Sequence, residues 1–327
     1  MIRPVVLGSG SAVPPRIVTN DELSLTVDTT DEWITQRTGI RERRVTAPDE
    51  TSSTLGAEAA KKALAAAAIE GSSIDLVVCA TTSPDYPWPS VACLIQDAVG
   101  ATTAGAFDLS AACAGFTYAL SVGGAMISAG NAKRVLVVGA DTLTKQVDWT
   151  DRGTCILFGD GAGAVILEGQ ENSERGLIDS VLFADGSGTK HLLIEGGGGR
   201  YPKGKPYSEG VRDTIYMAGR EVYRFGVNAM PDACEKLLAR TGLTPADVDL
   251  FVPHQANVRI IDSAAERLGI PKDKVFVNLE RYGNTSGASI PLALDEAVQQ
   301  GRLKPGMLVM TVGFGGGLAW GANLIRW

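Results

Sequence analysis

The sequence has few aromatic residues, very few histidines and no long apolar run. Aromatic residues make up 6% of the 327 residues, and His191 and His254 are the only histidines. The five cysteines show no Cys-x-x-Cys spacing, so a structural zinc site is not expected. The N-terminal segment lacks the apolar core of a signal peptide, and no stretch reaches the length of a membrane span. We therefore expect a cytoplasmic protein with reduced thiols, no metal and no membrane anchor.

Basic residues are also fewer than acidic residues. The chain has 30 Lys and Arg against 37 Asp and Glu, which gives a net charge of −7. Because an acidic chain is repelled by phosphate backbones and anionic lipids, we expect neither nucleic acid nor membrane as a general partner. The hydrophobic content of 45% is ordinary for a globular protein, and the length suits one large domain or two fused ones.

The chain repeats itself at an offset of 174 residues. A constant offset over three segments indicates a duplicated unit of helix, buried strand, apolar helix and buried strand. The matching pairs are 74–79 with 248–253, 113–120 with 287–294, and 135–139 with 309–313. We expect two α/β halves, 1–174 and 175–327, whose sheets are mixed or parallel and covered by helices on both faces. The segment 183–207 reads as a loop-rich insertion.

Helices are predicted before and after the repeated strands. Amphipathic patterns cover 59–69 and 232–243, and a further helix is predicted over 255–268. The two apolar helices that follow Cys113 and Asn284 are expected to form a central pair between the sheets.

Cys113 is the best candidate nucleophile. It comes directly before the apolar run 114–129, which predicts a buried helix. A thiol at the first turn of a helix faces unpaired backbone N–H groups and the positive end of the helix dipole, which favours the reactive thiolate. The alternative is a packed core cysteine, which is the commoner fate of a free thiol.

Two further polar residues fall at predicted strand ends. His254 follows the strand 248–253 and precedes a helix, so we expect it to stay neutral and to donate a hydrogen bond. Asn284 occupies a strand-to-helix turn, where its alternative role is a helix cap. The glycine-rich run 313–321 lets backbone N–H groups approach an oxyanion. We expect Cys113, His254 and Asn284 at equivalent strand ends, and His191 in a solvated loop.

Several of these segments resemble β-ketoacyl-acyl carrier protein synthase III, a condensing enzyme of the thiolase-like superfamily. The resemblance covers essentially the whole chain and rests on 29–40, 113–116, 254–257, 282–289 and 313–321. It implies the thiolase-like α/β fold with five layers, α-β-α-β-α. It also implies a homodimer without a cofactor, which condenses acyl-CoA with malonyl-acyl carrier protein and so begins fatty acid synthesis.

The resemblance also implies roles for individual residues. Cys113 carries the acyl group, while His254 and Asn284 hold the malonyl thioester carbonyl. The backbone N–H groups of Cys113 and Gly316 form an oxyanion hole. The implied contacts with CoA are Trp33, Arg37, Arg152, Gly219, Asn257 and Phe314, of which Phe314 resembles a gate. The implied docking contacts for the carrier protein are Arg220, Arg224, Gln255, Ala256, Asn257, Val258 and Arg259.

Alternatives remain open for the acyl donor and for the class of reaction. Trp88 stands where many members have a smaller ring, in a loop that closes the acyl pocket across the dimer; if it caps the pocket, the primer is short, with acetyl favoured. A condensing enzyme or acyltransferase of specialised metabolism would keep Cys113 and His254 but use another acceptor. A hydrolase would share the order Cys113, His254 and Asn284, although the internal repeat has no place in a papain-like fold.

Overall fold

Two mixed β-sheets form the framework of the fold. The computed structural model describes residues 2–327. The strands are β1 Ile2–Ala12, β2 Ile17–Thr19, β3 Glu42–Arg44, β4 Leu76–Ala80, β5 Gly105–Leu109, β6 Arg134–Thr142, β7 Asp160–Glu171, β8 Gly176–Ala184, β9 Leu192–Leu193, β10 Tyr216–Met217, β11 Leu250–Pro253, β12 Leu308–Gly315 and β13 Ala319–Arg326. The α-helices are α1 Asn20–Ser24, α2 Asp31–Thr38, α3 Ser52–Ala67, α4 Val91–Ala98, α5 Gly115–Ser128, α6 Arg152–Cys155, α7 Gly219–Thr241, α8 Val258–Leu268, α9 Leu279–Tyr282 and α10 Ser289–Gln299.

Each large sheet combines parallel and antiparallel pairs. The first has the order β1-β7-β6-β4-β5, in which β4 runs parallel to β5 and β6 while β7 is antiparallel to β6 and β1. The second has the order β11-β12-β13-β8, with one parallel pair, β11 and β12. The prediction of mixed sheets is confirmed. Strands of the first sheet end at Glu171 and those of the second begin at Gly176.

The helices form three layers around these sheets. Helices α3 and α4 pack on the outer face of the first sheet, and α7 and α8 pack on the outer face of the second. Helices α5 and α10 lie between the sheets and share one core with strands of both. The predicted five-layered α-β-α-β-α architecture and its central helix pair are therefore confirmed. Among residues 2–327 no helix has the length and apolar character needed to cross a membrane.

The two halves reproduce each other at the predicted offset. A 3₁₀ turn, Ala112–Ala114, leads into α5, and a second turn, Ser286–Ala288, leads into α10. The starts of β4 and β11, of β6 and β12, and of α5 and α10 are each 174 residues apart. Helix α5 agrees with the predicted run within one residue at each end.

Several predicted boundaries are wrong. Helix α3 begins at Ser52 because Thr51 supplies a capping box, and α7 begins at Gly219 and continues through the buried Pro231. Tertiary packing outweighs the helix-breaking tendency of proline there. Helix α8 begins only at Val258, because Asn257 caps it. The predicted insertion is confirmed and extends further, since only the two-residue β9 lies between the 3₁₀ turn Gly186–His191 and β10.

Asn284 does not follow a strand of the sheet, contrary to prediction. The short helix α9 precedes it and occupies the positions that correspond to β5, while an isolated bridge joins Val275, before α9, to Phe251 of β11. Backbone hydrogen bonds hold the Asn284 turn instead. Its N–H donates to Leu157 O at 2.8 Å, and its carbonyl accepts from Gly159 N at 3.0 Å.

Candidate active site

Cys113 lies in the 3₁₀ turn between β5 and α5, at the wall shared by two cavities. The first cavity, of about 350 Å³, is mainly apolar and includes Leu143, Ile215 and Ser286. The second, of about 100 Å³, is lined by His254, Asn284 and Phe314 among others. Cys113, Phe158 and Leu192 line both. A group bound to the sulfur atom can therefore occupy the first cavity while a second reactant enters the other.

The Cys113 thiol is not poised as a thiolate, and that prediction is wrong. Burial raises the pKa of Cys113 to about 12, and the nearby carboxylate of Asp141 acts in the same direction. A hydrogen bond with Ser286 and the backbone N–H of Cys113 itself oppose this increase in pKa. The side chain is only 7% exposed, so the loss of solvation outweighs the helix N-terminus, which begins two residues later at Gly115.

His254 is neutral, as predicted. It follows β11, and its backbone N–H donates to Val312 O at 2.8 Å. Its ring is 1% exposed, and burial lowers the pKa of His254 to about 3. Burial, rather than proximity to a helix, is the cause of the low pKa, since α8 begins four residues later. Ring atom Nδ1 lies 2.6 Å from Ser289 Oγ, which leaves Nε2 for a ligand in the second cavity.

Asn284 both caps a turn and keeps a donor. Its Oδ1 accepts a hydrogen bond from Ser286 N at 2.9 Å. The amide nitrogen Nδ2 has no hydrogen-bond acceptor among residues 2–327. Because Asn284 and His254 line the same cavity as Cys113, the structure brings the three predicted catalytic residues together.

The glycine-rich segment comes close to Cys113. A Cβ atom on Gly315 would lie 2.6 Å from the backbone nitrogen of Cys113, so only glycine fits there. The next residue, Gly316, lines the first cavity, and its N–H has no hydrogen-bond acceptor among the described residues. The centroid of the Phe314 ring lies 5.5 Å from that of His254, and Phe314 lines the second cavity but not the first.

Three of the predicted CoA contacts, Trp33, Arg37 and Arg152, lie together, whereas Gly219 and Phe314 line the second cavity. The guanidinium of Arg37 lies 4.2 Å from the ring centroid of Trp33, and that of Arg152 lies 4.8 Å away. A base between Trp33 and Arg152 needs about 7 Å, or two contact distances. Arg152 therefore has to move before an adenine can be sandwiched. Asn257 joins this cluster to α8, because its Nδ2 donates to Arg37 O while its Oδ1 accepts from Arg259 N.

Of the predicted carrier-docking residues, Ala256 and Asn257 line the second cavity, whereas Gln255 is buried in the protein interior. Gln255 is 1% exposed, and its amide is fully used in hydrogen bonds to backbone atoms, so it is structural. Arg220, Arg224 and Arg259 are exposed and form no ion pair within the described part of the chain. Gly219, Ala256 and Asn257 line the cavity, and Val258 packs against Gly39.

Trp88 and His191 lie away from Cys113 in the single chain. Trp88 is 84% exposed and is not among the residues that line either cavity. His191 closes a 3₁₀ turn and is half-buried. No local pattern singles out Ser286 or Ser289, although both fall inside the segment 282–289 that carries the resemblance.

Comparison with known proteins identifies the family of this chain. The family profile for 3-oxoacyl-[acyl-carrier-protein] synthase III matches residues 107–186, and its C-terminal profile matches 238–327. A β-ketoacyl-[acyl-carrier-protein] synthase III from Symbiobacterium thermophilum is 50% identical over 328 residues, covering 100% of this chain and 99% of the relative.

Solved structures give the same result. The 3-oxoacyl-[acyl-carrier-protein] synthase III from Aquifex aeolicus superposes with a TM-score of 0.92 at 44% identity, covering 99% of this chain and 100% of that one. A priming β-ketosynthase from the R1128 polyketide pathway gives a TM-score of 0.91 at 40% identity, covering 98% and 96%. This chain belongs to the β-ketoacyl-[acyl-carrier-protein] synthase III family, whose members are condensing enzymes of the acyltransferase class.

Proposed function

We propose that the chain condenses an acyl-CoA with malonyl-acyl carrier protein and so starts fatty acid synthesis. The observation that carries this proposal is the position of Cys113 in the wall of both cavities. An acyl chain on the sulfur occupies the apolar cavity, and the malonyl group occupies the cavity that holds His254 and Asn284.

The first half-reaction transfers the acyl group. The sulfur of Cys113 attacks the thioester carbonyl, its proton passes to the departing CoA thiolate, and an acyl-cysteine forms. The N–H groups of Cys113 and Gly316 are suited to stabilise the oxyanion of this step, because Gly316 N–H has no acceptor in the described chain. Because burial raises the pKa of Cys113, the thiol is the resting form, and its proton leaves during this half-reaction to the CoA sulfur.

The second half-reaction makes the carbon–carbon bond. The bond between the malonyl carbon and its carboxylate breaks, CO₂ leaves, and its electron pair forms an enolate. The enolate carbon attacks the acyl carbonyl on Cys113, the sulfur leaves as a thiolate that takes a proton from water, and a β-ketoacyl product results. Neutral donors at His254 and Asn284 stabilise the enolate oxygen without protonating the enolate carbon, and the lowered pKa of His254 supports this role. The electrons come from decarboxylation, so the reaction requires no redox cofactor.

The surface supports two entry routes and a homodimer. CoA enters along Trp33 and Arg152, while the acidic carrier protein docks on Arg220, Arg224 and Arg259. Strand β5 forms an unpaired edge of its sheet; Phe107 in this strand is 38% exposed, and Trp88, in the loop between β4 and α4, is 84% exposed. A second copy would cover this edge and bring Trp88 towards its partner's acyl cavity. The free state of all five cysteines supports a reducing compartment such as the cytoplasm.

Intact-mass analysis tests the proposal. The protein is incubated with acetyl-, butyryl- and octanoyl-CoA in turn, and malonyl-acyl carrier protein is then added. We expect one acyl adduct on Cys113 and a β-ketoacyl-carrier product. The Cys113→Ala variant should give neither. An adduct on another cysteine, or adducts without any condensation, would reject the proposal.

A further inference from the structure

Ser289 lies against His254 on the side opposite the second reactant. It is the first residue of α10 and is 1% exposed. Its Oγ lies 2.6 Å from His254 Nδ1, and it also accepts a hydrogen bond from Gln255 N at 3.4 Å. A distance of 2.6 Å between two buried atoms is a short hydrogen bond whose direction depends on the position of the proton.

The donors and acceptors available to the two side chains determine the direction of this hydrogen bond. The Ser289 hydroxyl has one hydrogen to donate, and His254 Nδ1 is its only acceptor within residues 2–327. If the imidazole donated from Nδ1 instead, the hydroxyl hydrogen would be buried without a partner. An unsatisfied buried donor is costly, and such groups are rare in folded proteins. The hydroxyl therefore donates to Nδ1, and the imidazole carries its proton on Nε2.

We propose that Ser289 is a positioning residue that fixes His254 as the Nε2–H tautomer. In this state His254 presents a hydrogen-bond donor to the cavity that it shares with Cys113 and Asn284. The inference rests on the proposed function, since the donor serves the thioester carbonyl of the malonyl group. It also restricts the chemistry, because an Nε2 atom that carries hydrogen cannot accept the Cys113 proton.

The arrangement around the ring agrees with this tautomer. The Phe314 ring is inclined by 69° to the His254 ring, with the ring centroids 5.5 Å apart, and among the described residues no carboxylate forms a hydrogen bond with either ring nitrogen. Nothing therefore favours the imidazolium form, and Ser289 alone distinguishes the two neutral tautomers. The acceptor at Nδ1 and the donor at Nε2 then have separate partners, the first in the protein and the second in the substrate.

Nitrogen NMR of histidine tests the tautomer directly. The chain has only two histidines, so selective ¹⁵N labelling of histidine gives two rings, and the His191→Gln variant assigns them. We expect the His254 ring of the wild-type protein to show the pattern of Nε2–H. The Nδ1–H pattern, or an equal mixture, would overturn the proposal. This readout needs no turnover, so it is independent of whether the proposed condensation occurs.

The kinetics of three variants test the consequence of this tautomer for decarboxylation. Ser289→Ala should slow decarboxylation of malonyl-acyl carrier protein about tenfold, because a fixed donor is lost, and leave acylation of Cys113 unchanged. Ser289→Thr keeps the hydroxyl and should restore most of the rate. Ser9→Ala is the matched control, since Ser9 is also buried and donates to Asp295 at 2.8 Å, remote from Cys113.

The outcomes separate a positioning role from a structural one. A selective loss of decarboxylation in Ser289→Ala, together with a mixed tautomer by NMR, supports the proposal. Wild-type decarboxylation in Ser289→Ala would overturn it. So would an equal loss in Ser289→Ala and Ser9→Ala, because that result reports general damage. If the wild-type enzyme forms no condensation product with any acyl-CoA, the proposed function fails while the NMR result on the tautomer stands.

Discussion

Ala112 and Ser286 share a left-handed backbone conformation, with φ of +46° and +53°, and they stand 174 residues apart. Each opens a 3₁₀ turn that leads into a central helix. Non-glycine residues adopt this conformation at a cost of about 1–3 kcal/mol, so the surrounding structure must enforce it. Asp141 of the first half does so by accepting a hydrogen bond from Gly287 N at 3.0 Å. The duplication therefore brings one turn from each half to the same cavity.

The reactivity of Cys113 should rise steeply with pH. The pKa of this thiol is raised to about 12 by burial, so the thiolate fraction grows throughout the neutral and mildly alkaline range. We expect the rate of iodoacetamide modification at Cys113, followed by peptide mass spectrometry, to increase from pH 7 to 10 without a plateau. The Cys113→Ser variant corrects for the other thiols. A plateau below pH 8 would show that the helix N-terminus outweighs burial.

Patterns of local sequence predicted the framework of this fold. Uniformly apolar runs placed β4, β6, β11 and β12, and the constant offset paired the two halves. These predictions succeeded because buried strands and central helices need apolar residues wherever they lie. The placement of Cys113 and His254 also followed, since each comes directly after or shortly after a strand of a sheet.

Features that depend on distant contacts were not predictable from local patterns. The thiol of Cys113 was expected to ionise readily, but the cavity that buries it is built from both halves. Gln255 was assigned to a surface, whereas its amide bonds to the backbone of Phe276 and Asn278. The contact between Ser289 and His254 joins residues 35 apart in sequence, and no spacing rule indicates it.

Substitution of His254 or Asn284 should separate the two half-reactions. His254→Ala and Asn284→Ala each remove one donor to the enolate, and each loss should cost about 3 kcal/mol, or about 10²-fold in the rate of condensation. Acylation of Cys113 should be nearly unchanged, because neither side chain serves that step. The rate of Cys113 acylation and the steady-state rate of condensation are measured in separate experiments. Normal condensation with failed acylation would reverse the assigned roles.

Trp88 should limit the length of the primer. In a homodimer its exposed ring would close the partner's acyl cavity, so Trp88→Ala should admit longer chains. We expect kcat/KM for octanoyl-CoA to rise relative to acetyl-CoA. Tyr86→Ala is the matched control, since Tyr86 lies in the same loop and is 55% exposed. An unchanged preference between the two acyl-CoA substrates in Trp88→Ala, or an equal change in both variants, would show that Trp88 does not close the acyl pocket.

Loss of the Trp33 ring should weaken binding of acyl-CoA. Stacking of a base on an aromatic ring contributes about 1–3 kcal/mol, so Trp33→Ala should raise KM for acyl-CoA by roughly tenfold. Arg152→Ala should have a smaller effect, because removal of its guanidinium also uncovers the Trp33 ring. KM for malonyl-acyl carrier protein should not change. Arg16→Ala serves as the control, as Arg16 is an exposed arginine paired with Glu22.

Charge reversal at the mouth of the second cavity should weaken docking of the carrier protein. Arg224→Glu combined with Arg259→Glu replaces two exposed cations that form no ion pair in the described chain. Electrostatic steering of an acidic partner then fails, so KM for malonyl-acyl carrier protein should rise about tenfold at low salt, and its dependence on salt should flatten. The matched control combines Lys61→Glu and Lys304→Glu, which change the net charge equally at exposed positions away from this cavity. KM for acyl-CoA should stay constant in both double variants, because the proposed route of CoA runs along Trp33. Equal increases in KM for both substrates, or an equal effect of the control, would show that the arginines do not form the docking surface.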